Sequence, residues 1–369
     1  MKRILSVFGT RPEAIKMAPV VKALEAADDF ESIVAVTAQH REMLDQVLDI
    51  FEIQPDYDLN IMKAGQTLSD ITARVLKGMQ EIIIETKPDM VLVHGDTSTT
   101  FAAALAAFHE RVKVGHVEAG LRTFDKWSPF PEEMNRSLTG RIADIHFAPT
   151  ESNVQNLLNE GIPADKIHMT GNTVIDALHS VLEEGYVFDV EELNHIEYDQ
   201  KRVIFMTAHR RENQGEPMHN IFRAVRRIAD DFSDVEIVFP MHLNPVVREI
   251  ALTHLDQHDR IHLIEPLDYK PFANMMAKCH FMLTDSGGIQ EEAPSLGKPV
   301  LVLRTETERP EAVEAGTVQM AGVVEEDIYS QAAELLTDQA KYEAMEKAAN
   351  PYGVGRGSIN TLNAIRTFL

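Results

Sequence analysis

The most informative local pattern in the sequence is Phe281-Met282-Leu283-Thr284-Asp285-Ser286-Gly287-Gly288-Ile289-Gln290-Glu291-Glu292. Its apolar start predicts a strand that turns through two glycines directly into a helix. Glycines let the backbone approach an anion closely, and the free N–H groups at a helix start point at bound negative charge. The pattern favours a phosphate site, with Glu291 and Glu292 expected in the first helical turn. A plain strand-to-helix turn with a serine cap is the alternative.

Strands and helices alternate on both sides of this stretch. In the first half, the predicted strands are Arg3–Phe8, Ile33–Ala38, Met90–Val93, Val112–Val117 and Ile145–Ala148, with helical patterns such as Ala14–Ala27, Leu68–Glu85 and Thr100–Glu110 between them. After Tyr198 the pattern restarts with Arg202–Thr207, Val235–Pro240, Ile261–Leu263, Phe281–Thr284 and Pro299–Leu303. Such alternation predicts two doubly wound, Rossmann-like α/β domains, each with a parallel sheet covered by helices.

The length of 369 residues also suggests two domains. We predict an N-terminal domain over 1–175, with a last helix over 356–369 packing back on it, and a C-terminal domain over 176–355. The acidic, polar stretch Glu183–Lys201 predicts a connection that includes a short helix. Because ligands of open α/β sheets bind beyond the carboxyl ends of the strands, we expect a site in the cleft between the domains.

Composition excludes several classes of protein. The net charge of −23 argues against binding to nucleic acid. Cys279 is the only cysteine, which rules out an intrachain disulfide and suits a reducing compartment. The apolar start Ile4–Phe8 ends too early for a signal peptide, and Phe101–Phe108 is too short for a membrane span. We therefore expect a cytoplasmic protein without a membrane partner.

Sequence motifs for metals and common cofactors are missing. No Gly-x-Gly-x-x-Gly follows the first strand, there is no Walker loop, and no histidines and cysteines have zinc-site spacing. The sequence thus predicts neither a metal nor a cofactor.

Charged residues follow the strands of the first predicted domain. Arg11 and Lys16 come after the first strand, where they could bind phosphate or be solvated surface charge. Asp96 and Glu118 come directly after two later strands, and Glu132 lies in a nearby loop. Each acid alone could be structural, and Asp96 could cap the next helix. Because parallel strands end at one edge of a sheet, we expect the three acids to lie close together.

Histidines and an arginine hold corresponding places in the second domain. His209 and His242 each follow a strand, where a histidine can act as acid or base or hold a phosphate. Arg309 follows the Pro299–Leu303 strand and can pair with phosphate in bidentate geometry. A structural histidine is the alternative for His209.

Taken in order, six motifs resemble the non-hydrolysing UDP-N-acetylglucosamine 2-epimerases. They span essentially the whole chain and are Gly9-Thr10-Arg11-Pro12-Glu13, His94-Gly95-Asp96-Thr97, Val117-Glu118-Ala119-Gly120-Leu121-Arg122, Pro131-Glu132-Glu133-Met134-Asn135-Arg136, Ala208-His209-Arg210-Arg211-Glu212-Asn213 and Asp285-Ser286-Gly287-Gly288. The resemblance implies the glycosyltransferase-B fold, usually as a homodimer. It also implies interconversion of UDP-N-acetylglucosamine and UDP-N-acetylmannosamine, which commonly feeds cell-wall or capsule polysaccharide.

That reaction fits the residues present. Loss of UDP builds positive charge at C1 of the sugar and makes the C2 proton removable, giving 2-acetamidoglucal; re-addition with protonation on the other face inverts C2. The chemistry needs acid or base groups on both faces and firm binding of UDP. Because clustered acids raise one another's pKa, we expect one of them to be protonated near neutral pH.

The resemblance also assigns residues by position. It implies a catalytic set of Asp96, Glu118, Glu132 and His209. It implies substrate contacts from Arg11, Lys16, Leu267 (through its backbone), Phe272, Ser286, Gly287, Gly288, Glu292 and Arg309, with the diphosphate at the glycine turn, the ribose at Glu292 and uracil at the Leu267–Phe272 segment. Bacterial relatives also have a second UDP-N-acetylglucosamine site that activates them, and Gln39, His40, Arg41, Arg210 and His242 resemble its lining.

Three other functions fit parts of the pattern. A retaining glycosyltransferase of the same fold would share the glycine turn and the ribose glutamate, although it would need an acceptor. A hydrolysing epimerase would release N-acetylmannosamine, but such enzymes are often fused to a kinase domain for which this chain has no room. A nucleotide-sugar sensor would not need the acid cluster of the first domain.

Overall fold

The computed structural model describes residues 1–38, 41–63 and 65–369. The described chain divides into two compact units. The first unit comprises Met1–Ser180 and Tyr352–Leu369, and the second comprises Val181–Pro351. The sequence-based boundaries at 175/176 and 355/356 are proposals that differ from this division by a few residues. Among the described residues, no helix combines the length and apolar character needed to cross a bilayer.

The first unit is built on a parallel sheet. Among its described residues the sheet has seven strands in the order β3-β2-β1-β4-β5-β6-β7. The strands are β1 (Lys2–Phe8), β2 (Phe30–Val36), β3 (Tyr57–Asp58), β4 (Met90–His94), β5 (Lys113–Val117), β6 (Ile145–Ala148) and β7 (Ile167–Met169). The helices are α1 (Arg11–Glu25), α2 (Arg41–Ile50), α3 (Leu68–Thr86), α4 (Ser98–His109), α5 (Glu132–Ile142), α6 (Glu151–Asn159), α7 (Thr173–Val181) and, from the C-terminus, α16 (Gly357–Phe368).

The second unit, all of whose residues the structure describes, also has a parallel sheet. Its order is β10-β9-β8-β11-β12-β13. The strands are β8 (Arg202–Thr207), β9 (Val235–Pro240), β10 (Ile261–Ile264), β11 (Phe281–Thr284), β12 (Val300–Val302) and β13 (Val318–Met320). The helices are α8 (Glu191–Asn194), α9 (Glu216–Asp231), α10 (Pro245–Leu255), α11 (Tyr269–Lys278), α12 (Gly287–Glu292), α13 (Pro310–Glu314), α14 (Glu325–Thr337) and α15 (Gln339–Glu346).

Central strands form where the chain has apolar runs that can be buried on both faces. β4 is buried along its whole length, and so is β11. Helix α4 packs closely on α3 because the alanines of its Ala102–Ala107 segment are fully buried and add little bulk. The predicted alternation and fold class are therefore confirmed, with element bounds shifted by at most a few residues.

Three short strands were not predicted. β3, β7 and β13 are two or three residues long and lie at sheet edges, where polar residues alternate with apolar ones. Such segments carry little hydrophobic signal because one side of an edge strand faces solvent.

The order of strands creates a crevice in each sheet. β1 pairs with β2 on one side and β4 on the other, and β8 likewise lies between β9 and β11. The connections leave in opposite directions from β1 and β4, and from β8 and β11, so loops diverge at the carboxyl ends of these pairs. Such switch points are the usual binding positions in open α/β sheets.

Candidate functional site

Glu118 is the centre of the first unit's charged cluster. It follows β5 directly, and its φ of 60° is in the left-handed region, which is costly for a residue with a Cβ. Lys16 Nζ lies 2.5 Å from its Oε1, and His94 Nε2 lies 2.8 Å from its Oε2. Both partners are mostly buried. The switch point of the first unit thus holds a carboxylate between a lysine and a histidine.

These neighbours decide the charge of Glu118. Burial alone would raise its pKa, but the charge of Lys16, together with the charge and hydrogen bond of His94, outweighs burial and holds the pKa well below its usual range. Glu118 is therefore a carboxylate at neutral pH.

The pKa of Asp96 is shifted in the opposite direction to that of Glu118. Burial raises its pKa; Arg136 opposes the rise, and the charges of Glu118 and Glu132 add to it. Arg136 Nη1 lies 3.3 Å from Asp96 Oδ2, and Asn135 Nδ2 donates to the Asp96 carbonyl at 3.0 Å. The side chain keeps 28% exposure, so a ligand can reach it. Thr97, not Asp96, caps α4.

The two glutamates at the start of α5 differ in their contacts. Glu132 is half-buried and acts on Asp96 through its charge. Glu133 is buried, pairs with Arg136 and accepts from the backbone N–H groups of Thr123 and Phe124. Glu133 therefore holds the loop before α5, while Glu132 lies with the acid cluster. The structure brings Asp96, Glu118 and Glu132 together, as expected from the strand ends.

Arg11 and Lys16 lie on the same helix with different surroundings. Arg11 is the first residue of α1 and is half-buried. Lys16 is mostly buried and forms an ion pair with Glu118, so it is not a solvated surface charge.

Asp285 is the corresponding centre of the second unit. Its side chain is fully buried, and its Oδ2 accepts from the backbone N–H groups of His209 and Arg210, both at 2.8 Å. The side chain of Asn213 donates to the same oxygen at 3.2 Å. This carboxylate fixes the loop after β8 against the end of β11.

The glycine turn lies beside that loop. Ser286 is at the N-cap position of α12, where its side chain makes no capping hydrogen bond, and its backbone N–H donates to Thr284 Oγ1 at 3.0 Å. A Cβ on Gly287 would come no closer than 4.0 Å to any neighbour, the Arg210 guanidinium, and one on Gly288 no closer than 3.8 Å, to Glu292. The glycines thus leave open space in front of the turn, with Arg210 beside it.

The placement of Glu291 and Glu292 in the first helical turn is wrong. α12 begins at Gly287, so the two glutamates are its last two residues. Glu291 forms an ion pair with Arg309, so the charge of that arginine is balanced within the unit. Glu292 is buried and accepts from the Tyr269 hydroxyl at 3.1 Å, with its other oxygen towards Gly288.

The segment expected at uracil precedes and opens α11. Leu267 is half-buried, and the Phe272 ring packs against Phe205 at a centroid distance of 4.8 Å.

The residues resembling an activator site are partly outside the described structure. Gln39 and His40 are not among the described residues, nor is the side chain of Arg41, which begins α2. Arg210 Nε donates to the Asp285 carbonyl at 3.2 Å. The His242 ring lies 5.4 Å from that of His209, and burial and the neighbouring His209 lower its pKa. Arg210 and His242 therefore lie at the same edge as His209.

Four contact residues were missed from the sequence. His94 and Arg136 touch the acids directly, and Asp285 fixes His209. Glu13 accepts from the loop after β1 and from Thr97. All four lie inside the motifs quoted above. Glu13, His94 and Asp285 have a positional signal, since each is at a strand's carboxyl end or in the first turn of the following helix. Arg136, the fifth residue of α5, has no such signal.

Known proteins resemble the chain over nearly its whole length. The family described as UDP-N-acetylglucosamine 2-epimerase matches residues 22–366. The UDP-N-acetylglucosamine 2-epimerase of Bacillus subtilis is 59% identical over 96% of this chain and 93% of its own. A solved structure from Listeria monocytogenes has a TM-score of 0.94 at 54% identity, covering 100% of this chain and 97% of the other. A Neisseria meningitidis UDP-GlcNAc 2-epimerase, solved with UDP-GlcNAc bound, has a TM-score of 0.88 at 50% identity, covering 99% and 100%.

Sequence and fold thus give the same family. The chain belongs to the UDP-N-acetylglucosamine 2-epimerase family.

Proposed function

We propose that this chain interconverts UDP-N-acetylglucosamine and UDP-N-acetylmannosamine without hydrolysis, by elimination of UDP and its re-addition. In the first step the C1–O bond breaks, UDP leaves with the electron pair, and the C2 proton passes to a carboxylate. The product of that step is 2-acetamidoglucal. In the second step a proton is delivered to the other face of C2, and the UDP oxygen bonds to C1 again.

One observation carries the proposal: two neighbouring carboxyl groups have pKa values shifted in opposite directions. In such a pair one group is the more readily ionised and the other holds a proton more readily. Glu118, held ionised by Lys16 and His94, is suited to take the C2 proton. Asp96, whose pKa burial raises, is suited to hold a proton and deliver it to the opposite face. In the reverse direction the two groups exchange roles.

Glu132 supports the acid in this scheme. Its charge helps to raise the pKa of Asp96 and so favours the protonated form. The role assigned by resemblance, a member of the catalytic set, is compatible with that position.

The second unit has groups suited to UDP. Backbone N–H groups near the two glycines, with the Arg210 guanidinium beside them, can donate hydrogen bonds to a diphosphate. Ser286 belongs to this turn, and His209 lies in the loop after β8, which Asp285 fixes against the end of β11. Glu292 is proposed to bind the ribose and Arg309 the diphosphate, with uracil at Leu267 and Phe272. The UDP-GlcNAc bound by the Neisseria relative supports this ligand.

The test is proton NMR of the purified protein with UDP-N-acetylglucosamine in deuterated water. Because the acid and the base are different groups, and the acid exchanges with solvent, early UDP-N-acetylmannosamine should carry deuterium at C2 while unreacted substrate does not. Both epimers should become labelled as equilibrium is reached. Release of free N-acetylmannosamine would indicate a hydrolysing epimerase, and dependence on an added acceptor a glycosyltransferase. Binding without turnover would indicate a sensor.

Three further expectations rest on the family likeness alone. We propose a homodimer, a supply role in cell-wall or capsule polysaccharide synthesis, and activation by a second UDP-N-acetylglucosamine. Light scattering tests the dimer. A sigmoidal dependence of the reverse reaction on UDP-N-acetylmannosamine, relieved by added UDP-N-acetylglucosamine, tests the activator.

A further inference from the structure

Glu13 is a buried carboxylate that joins the loops after β1 and β4 in the first unit. Its Oε2 accepts from the backbone N–H groups of Gly9 at 2.9 Å and Thr10 at 2.8 Å, in the loop after β1. Its Oε1 accepts from the Thr97 hydroxyl at 2.6 Å, in the loop after β4. One side chain therefore spans the switch point between β1 and β4.

A fourth contact extends the bridge to a residue of the acid cluster. The Thr100 hydroxyl lies 3.1 Å from Glu13 Oε1 and 2.5 Å from the carbonyl of His94. It has one hydrogen and can donate to one of them at a time. The hydroxyl groups of Thr97 and Thr100 also lie 3.0 Å apart. Glu13 thus meets the loop that carries His94 and Asp96 through two linked hydroxyl groups.

The two partners of Glu118 lie next to these loops. Lys16 is one turn beyond Glu13 on α1, and His94 ends β4. These residues contact the two oxygens of Glu118. His94 is held beside Glu118 by the pairing of β4 with β5. The position of α1 against the loop after β4 therefore sets how Lys16 meets Glu118 beside His94, and Glu13 spans that distance.

We propose that Glu13 is a positioning residue for proton transfer, acting through the relative placement of Lys16, His94 and Asp96. The inference rests on the proposed function, because it concerns the same acid and base. It goes beyond helix capping, the ordinary use of a glutamate at this position.

Helix α3 provides a matched comparison within the chain. Its Thr67 and Asp70 form the same capping box, with Asp70 Oδ2 accepting from the Thr67 backbone N–H at 2.9 Å, at an exposed place. An aspartate therefore suffices to close such a box. Glu13→Asp should keep the capping of α1 while withdrawing the carboxylate, one methylene shorter, from Thr97.

The experiment compares Glu13→Asp, Glu13→Gln and Asp70→Asn by steady-state kinetics, with rates normalised to the stoichiometry of UDP binding. We expect Glu13→Asp to lower kcat by about 10- to 100-fold, the scale of a misplaced reacting group. KM should change little, and the kinetic isotope effect with C2-deuterated substrate should rise. Glu13→Gln keeps the length, can accept with its oxygen and donate to Thr97 with its nitrogen, and should keep more activity than Glu13→Asp. Asp70→Asn should react at the wild-type rate.

The outcomes separate the two proposals. If the wild-type protein does not form UDP-N-acetylmannosamine, the proposed function fails. If the wild type is active but Glu13→Asp matches it, or if Glu13→Asp loses no more than Asp70→Asn, the positioning role is overturned. A lower activity for Glu13→Gln than for Glu13→Asp would show that the charge matters and not the span, and would also overturn it.

Discussion

The two units place opposite chemistry at the same topological position. At the β1/β4 switch point of the first unit, Asp96, Glu118 and Glu132 cluster around basic partners. At the β8/β11 switch point of the second unit, the loops present His209 and Arg210 beside a glycine turn. Each edge is tied by one buried carboxylate, Glu13 in the first and Asp285 in the second.

The comparison separates what the fold does from what the side chains do. A parallel sheet brings strand ends together and opens a crevice, whatever residues follow the strands. The residues that follow decide whether the crevice suits proton transfer or an anion. The buried carboxylate is the common part, since loops that diverge at a switch point have backbone N–H groups left to satisfy.

The largest effect should come from removing the base of the first unit. Glu118→Gln keeps the shape of the side chain but cannot take a proton, so kcat should fall by about 10²- to 10⁴-fold. UDP affinity should be largely retained, because the glycine turn, Glu292 and the Leu267–Phe272 segment proposed to hold UDP lie in the second unit. NMR of epimer formation and calorimetry of UDP binding measure the two quantities.

The control for Glu118→Gln is Glu25→Gln, which also removes a glutamate paired with a lysine, Lys22, but at an exposed position of α1. It should leave both quantities unchanged. A large loss of UDP affinity in Glu118→Gln with little loss of kcat would contradict the assignment of proton transfer to the first unit and UDP binding to the second.

The next effect should come from filling the glycine turn of the second unit. A Cβ on Gly288 would make only an ordinary van der Waals contact with Glu292 at 3.8 Å, so Gly288→Ala should fold normally. If the diphosphate lies against this turn, the methyl group takes its place, and UDP affinity should fall by about tenfold or more. Calorimetry measures the affinity and thermal unfolding checks the fold. Unchanged affinity in a folded protein would remove the turn from the UDP site.

Much of this arrangement can be predicted from the sequence because the carboxyl ends of parallel strands lie at the same edge of the sheet. Asp96 and Glu118 each follow an apolar strand, and that alone predicts that they lie near each other. The contact of Lys16 with Glu118 is not readable, since it depends on the angle at which α1 leaves β1 and on the left-handed backbone of Glu118. The position of Glu291 was missed for a simpler reason: the first helical residue was not fixed by the sequence, and a shift of one turn changes which end of the dipole a carboxylate meets.

The two units also differ in how far their histidines are exposed to solvent. His209 stays partly exposed in the second unit, whereas His116 and His146 are fully buried in neighbouring strands of the first. Burial lowers the pKa of His116 to about 3 and that of His146 to about 4. His116 Nε2 lies 2.7 Å from the carbonyl of Gly95, while neither ring nitrogen of His146 has a hydrogen-bond partner among the described residues.

His146 should therefore lower the free energy of unfolding of the first unit as the pH falls. A histidine with a folded pKa below its unfolded value contributes full stability above about pH 6.5 and loses it as pH falls towards about 4. His146→Phe removes the proton uptake, so between pH 7 and 5 the variant should lose about 2 kcal/mol less unfolding free energy than the wild type. Urea unfolding at both pH values measures this, with the exposed His195→Phe as control. Equal losses in the wild type and His146→Phe would show that His146 is not the acid-sensitive group.

The smallest effect should be a shift in pH dependence at the first edge. If protonated Asp96 delivers the proton, activity must fall as pH rises through its pKa. The charge of Glu132 helps to raise that pKa, so Glu132→Gln should move the falling limb of the kcat profile to lower pH.

The position of this limb reports on Asp96 even if Glu132→Gln also slows the reaction, because a slower rate lowers the whole profile without displacing it. Glu151→Gln is the matched control, since Glu151 is the first residue of α6 as Glu132 is of α5. It removes the same charge from the same position of a neighbouring helix and should leave the limb in place. A falling limb that stays fixed in Glu132→Gln, or moves to higher pH, would mean that Asp96 is not the acid. The opposite pKa shifts of Asp96 and Glu118 would then reflect their surroundings in the fold and not a role in proton transfer.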